Sequence, residues 1–192
     1  MLAGGASRRM GTDKALVEVD GVALARRAGD RLVAAGAGEV VLVGAAEAVA
    51  DRLAMATVPD DRPGTGPLAG VATALRWARG RAPDAVLLVA ACDQPDLDPT
   101  LLDELVRRLG GGLAVGAIPR TADGRRHPFP SAWRVDAAAG AIERLVRGGA
   151  RRMRDALELA VVEVEARAAA VADLDAPADL ARRLDRSTPP PP

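Results

Sequence analysis

The chain has 192 residues, enough for one domain whose core needs no metal or disulfide staple. Its 26 basic residues balance 26 acidic ones, so no net charge draws it to nucleic acid or to an anionic membrane. A single cysteine excludes an internal disulfide and a cysteine-based metal site. With no secretory leader and no apolar run long enough to span a bilayer, the chain is expected in the cytoplasm. Aromatic residues make up 2% and tyrosine is absent, which points to small residues packing helices tightly on a sheet.

In chain order, Met1-Leu2-Ala3 runs straight into Gly4-Gly5, a glycine loop with almost no strand before it. In doubly wound sheets such a loop follows the first, central strand. A sheet without that member leaves two neighbours with unpaired backbone groups, so further strand residues are expected upstream of Leu2. Helical spacing of apolar residues then covers 23–35, 68–78, 99–109, 136–147 and 178–184. Short β-branched runs at 40–43, 85–90, 113–118 and 160–164 read as buried strands. The β-α-β-α-β-α-β alternation predicts a mostly parallel sheet wrapped by helices with right-handed crossovers. Residues 1–186 are expected to form a single domain, and the proline-rich 187–192 a disordered tail.

Three segments carry the residue types of a nucleotide site. Residues 2–14 hold paired glycines (Gly4, Gly5) followed by Arg8, Arg9 and Lys14. Glycine permits close backbone approach, and amides with fixed cations are what a polyphosphate demands. The string is neither a Walker A loop nor G-x-G-x-x-G, and a solvated basic turn is the bland alternative. Residues 60–70 form a Pro/Gly-rich loop ending at a helix N-terminus, where Thr65 or an exposed amide could read a base edge. In the third, Asp93 follows a buried strand, where α/β sheets bind ligands in the crevice. A lone carboxylate there suits Mg²⁺, which completes its shell with phosphate and water. Asp96 and Asp98 read as caps of the next helix, and Cys92 as a small buried residue. Lone His127 reads as structural, while Arg151-Arg152 fits an anion contact or a solvated helix start equally well. Asp175, near Pro177, reads as a helix cap.

In this order the residues resemble the molybdenum cofactor guanylyltransferase (MobA) family. The resemblance rests on Leu2-Ala3-Gly4-Gly5-x-Ser7-Arg8-Arg9-Met10-Gly11-x-Asp13-Lys14, on Gly66-Pro67-Leu68-Ala69-Gly70, on Cys92-Asp93-x-Pro95 and on His127-Pro128. It implies a Rossmann-like three-layer α/β sandwich of nucleotidyltransferase type. It also implies transfer of GMP from GTP to the phosphate of molybdenum-bound molybdopterin, with Mg²⁺ as cofactor and release of pyrophosphate. Carried over by position, Leu2, Ala3 and Gly4, with Gly5 in the same loop, would contact the nucleotide, and Lys14 its phosphates. Arg8 or Arg9 would help neutralise the leaving pyrophosphate, Asp61 would sit at the guanosine, and Asp93 would hold GTP and Mg²⁺. Molybdenum-insertion proteins are implied as partners. Departures from the family pattern are Gly44, where an asparagine is frequent, and Asp173-Leu174-Asp175-Ala176-Pro177 in place of Asn-x-Asn-Thr-Pro. The alternatives are a CTP- or GTP-dependent transferase acting on another small phosphate acceptor, or a non-catalytic homologue.

Overall fold

The computed structural model describes residues 1–4, 13–110 and 112–174. A two-residue ribbon, β1 (Glu18–Val19) and β2 (Val22–Ala23), precedes α1 (Leu24–Ala34), β3 (Val41–Val43), α2 (Glu47–Leu53) and β4 (Ala56–Val58). Then come α3 (Pro67–Arg79), β5 (Val86–Val89), α4 (Pro99–Leu109), β6 (Gly116–Thr121), β7 (Ser131–Arg134), α5 (Val135–Arg147) and β8 (Val161–Ala166). β3 and β4 pair in parallel, and β5, β7, β6 and β8 form a second sheet in that order. Leu2 joins the two, making parallel bridges to Val43 on one side and to Ala91, just beyond β5, on the other. The first residues thus occupy a central sheet position for the length of one short step.

Helix ends and packing follow from the residues. α4 starts at Asp98, whose side chain accepts from Thr100 N–H at 2.9 Å, with Pro99 in the first helical position. It buries Leu101, Leu102, Leu105 and Leu109, each worth roughly 1.5–3 kcal/mol of transfer free energy. α3 is small-residue rich, and its Gly70 brings the backbone onto Leu2, whose Cδ2 lies 3.2 Å from where a glycine Cβ would stand. Leu68, Val71, Leu75, Trp133 and Ile142 share one core between α3, α5 and the sheet. Ala28, Leu32, Leu42, Ala50, Leu97 and Leu102 share another on the opposite face, giving three layers.

The mostly parallel, helix-wrapped sheet is as expected, with departures in detail. β7 runs antiparallel to both β5 and β6, so the sheet is mixed, with its remaining pairings parallel. The strand expected at 113–118 begins only at Gly116, and Leu113 is 98% exposed in the bend that precedes it. β4, β7, α2 and the β1–β2 ribbon were not expected. The helix at 178–184, Asp175 and the tail lie outside the described residues, and so do Gly5, Arg8 and Arg9.

Candidate functional site

The site lies where the chain start meets the C-terminal ends of β3 and β5. Leu2 N–H donates to the Ala90 carbonyl at 2.8 Å, and Cys92 N–H to the Leu2 carbonyl at 3.1 Å. Ala3 and Gly4 N–H both reach the Val43 carbonyl, at 3.0 and 3.1 Å. Gly4 lies against Gly44, whose φ of 79° is a left-handed conformation; a Cβ on Gly4 would meet the Gly44 backbone at 3.1 Å. The glycine at 44 is therefore demanded by the local backbone.

Beyond the glycine loop the chain returns at Asp13, whose Oδ1 accepts from Ala15 N–H at 3.0 Å and caps the 3₁₀ turn Lys14–Leu16. That cap aims Lys14 across the crevice, and its Nζ meets Asp93 Oδ2 at 3.0 Å. Asp93 sits in a turn braced from three directions. Buried Gln94 accepts from Ala91 N–H at 3.3 Å and donates to the Phe129 carbonyl at 3.2 Å. Leu174 N–H donates to the Asp93 carbonyl at 2.9 Å. Next to it, Cys92 is buried, and burial followed by the Asp93 charge pushes its thiol up to about 12, so it is inert at neutral pH. A cavity of about 240 Å³ brings Leu2, Ala3, Gly4, Lys14 and Asp93 together, with Asp13 and Phe129 also on its wall.

Asp61 is not on that wall. Its carboxylate accepts from Thr73 Oγ1 at 3.1 Å and pairs with Arg76, while Asp60 accepts from Arg62 N–H at 3.0 Å and from the same hydroxyl at 3.2 Å. Thr65 donates its hydroxyl to the Arg62 carbonyl at 2.6 Å, which satisfies the group expected to read a base. The α3 N-terminus is partly engaged as well, since Leu68 N–H bonds the Arg151 carbonyl at 3.3 Å. Arg151 and Arg152 project as exposed side chains. His127 Nε2 lies 3.0 Å from Thr121 Oγ1, and burial, then Arg125, lowers its pKa, consistent with a neutral structural histidine. Asp98 caps its helix as expected. Asp13, Ala91 and Phe129 were missed as wall residues; of these only Asp13, inside the glycine-cation string, carried a sequence signal.

Among the described residues no helix is long and apolar enough to cross a membrane, and no three His, Cys, Asp or Glu side chains form a metal-sized group. A model of the MobA-like NTP transferase domain matches residues 1–171. The probable molybdenum cofactor guanylyltransferase of Opitutus terrae is 40% identical over 77% of this chain and 71% of its own length. The molybdenum cofactor guanylyltransferase of Rhodobacter capsulatus is 36% identical over 97% of this chain and 94% of its own. Among solved structures, molybdopterin-guanine dinucleotide biosynthesis protein A from Archaeoglobus fulgidus superposes with a TM-score of 0.77, covering 96% of this chain and 95% of that one at 25% identity. The chain therefore belongs to the molybdenum cofactor guanylyltransferase family of MobA-like NTP transferases.

Proposed function

We propose that the protein transfers GMP from GTP to the terminal phosphate of molybdenum-bound molybdopterin in the cytoplasm, releasing pyrophosphate. The observation that carries this reading is the Lys14–Asp93 pair at 3.0 Å, on a wall built by Leu2, Ala3 and Gly4. A fixed cation, a carboxylate and close-lying backbone are the parts a nucleoside triphosphate needs.

Mg²⁺ fits the donor set. It takes one or two carboxylates and leaves the rest of its shell to phosphate and water. Asp93, with Asp13 on the same wall, offers that many and no closed cage. Asp93 would hold the ion, which when bound supplies charge neutralisation to the triphosphate. Leu2, Ala3 and Gly4 line the nucleotide side, where the absence of a Gly4 side chain lets the turn at Gly44 close against it. Lys14 turns from Asp93 to the phosphates and steadies the charge gathering on the leaving pyrophosphate, helped by Arg8 or Arg9. An acceptor phosphate oxygen forms the new bond to the α-phosphorus as the bond to the β-phosphate bridging oxygen breaks. That nucleophile arrives ionised, so no general base is required and positioning provides the rate. Asp61 belongs to the guanosine end by position in the family motif, although Thr73 and Arg76 hold it away from the phosphate cavity. Delivery of the acceptor by molybdenum-insertion proteins follows from the resemblance alone.

The test is pyrophosphate release by the purified chain with GTP, Mg²⁺ and molybdenum-loaded molybdopterin, with the dinucleotide product identified by mass. Preferential use of CTP would reject the guanylyl reading, and product formation from another phosphate acceptor alone would reject the pterin one.

A further inference from the structure

The two flanks of the phosphate cavity differ in kind. Toward β3 the wall is backbone and small residues, Ala3 and Gly4, with Gly44 packed behind them. Asp60 Cβ lies 3.5 Å from where a Gly44 Cβ would stand, so the loop after β4 adjoins that flank. On the other flank the wall is Phe129. Val89, the last residue of β5, pairs with Ser131 of β7, which sets residue 129 beyond the strand end that leads to Asp93, on the side away from β3.

Phe129 is held in place there. Pro128 and Pro130 carry no N–H, so only one amide of the three could join a ladder. The Phe129 carbonyl is instead taken by Gln94 Nε2 at 3.2 Å, while Gln94 Oε1 accepts from Ala91 N–H at 3.3 Å. Gln94 is 3% exposed, so this tie between Phe129 and the Asp93 turn faces little competition from water. The ring packs against the core around Leu68 and Trp133 and stays half-buried. Of the chain's three aromatic residues, Trp133 is fully buried and Trp77 has the Arg81 guanidinium over its ring at 4.3 Å. Phe129 is the one that lines this cavity.

In-line displacement sets the attacking and leaving oxygens on opposite sides of the α-phosphorus. With the triphosphate on the glycine-and-cation side, the acceptor enters from the Phe129 side. A pterin acceptor carries a flat heteroaromatic ring a few bonds from its phosphate. Rings of that kind gain by lying on an aromatic face, and for nucleobases the loss of such a face to alanine weakens binding about five- to 150-fold. We propose, on the guanylyl-transfer reading above, that Phe129 is the platform on which the flat ring of the acceptor rests.

The test reads the KM of the acceptor and the KM of GTP separately in the full chain, using molybdenum-loaded molybdopterin, for Phe129→Ala, Phe129→Leu and Phe129→Tyr. Phe129→Leu keeps the apolar packing against the core and loses the ring, while Phe129→Tyr keeps the ring. The alanine and leucine variants should raise the acceptor KM by about tenfold or more with the GTP KM within about twofold of the parent, and the tyrosine variant should match the parent. Binding of 6-hydroxymethylpterin monophosphate, followed by its own fluorescence, should weaken in the same two variants and hold in the third. A parent-like acceptor KM in Phe129→Leu would overturn the proposal, since apolar cover alone would then suffice. A raised GTP KM with an unchanged acceptor KM would overturn it in favour of guanine on the ring, and so would absence of pterin phosphate binding by the parent. If the parent binds pterin phosphate but transfers no GMP, the reading of the reaction fails, and the binding series alone decides for or against the platform.

Discussion

Replacing Lys14 by glutamine isolates the contribution of one cation. Its ammonium stands 3.0 Å from Asp93 Oδ2, and the two side chains are only 19% and 18% exposed. At that separation the attraction is about 5.5 kcal/mol for an effective dielectric constant of roughly 20. Dehydration of both groups offsets much of this, leaving a net contribution to stability of about 1–3 kcal/mol. Lys14→Gln should therefore lower the melting temperature by a few degrees. Its effect on the reaction should be larger, because the ammonium both binds the triphosphate and steadies the further charge that develops on the leaving pyrophosphate; kcat/KM should fall by about 10²–10³. Lys14→Arg keeps the charge and should recover part of that loss. Mn²⁺ titration without nucleotide should show the opposite sign, tighter binding in Lys14→Gln, because a competing cation has left the carboxylate. Pyrophosphate-release kinetics and calorimetry read the two effects. A kcat/KM within about threefold of the parent in a folded Lys14→Gln protein would refute the role given to this residue.

Asp93→Asn should reduce metal-dependent turnover by about three orders of magnitude and, because it breaks the same ion pair, lower the melting temperature by a few degrees as Lys14→Gln does, while circular dichroism stays close to the parent because Leu174 binds the Asp93 main chain. Gly66 has φ of 109°, and a Cβ there would lie 2.5 Å from the Arg151 carbonyl oxygen, so Gly66→Ala should cost about 1–3 kcal/mol in urea denaturation.

The layered architecture was readable because the long elements have strong periods. α4 begins and ends where Asp98-Pro99 and Gly110 say it should, and α1, α3 and α5 lie within a residue or so of their apolar stripes. Short elements escaped. β4 has three residues, too few to show alternation, and β7 is a four-residue run behind Pro128 and Pro130. Yet β7 carries the fully buried Trp133, whose ring occupies the space where a Gly116 Cβ would be 2.5 Å away. That contact, distant in sequence, accompanies the antiparallel pairing of β7 with β6. In the site, Lys14 and Asp93 were legible from their residue types and places in the topology. Asp61 was assigned by motif, and no sequence pattern showed that Thr73 and Arg76 would hold it away from the cavity wall.

The bond between Leu174 and Asp93 has a bearing on how the protein is made. A nascent chain that has emerged from the ribosome through α5 can already have built most of both cores, yet the turn carrying Asp93 still lacks its last main-chain tie. Closure of that turn then waits for Leu174, beyond the last strand, instead of accumulating with the helices.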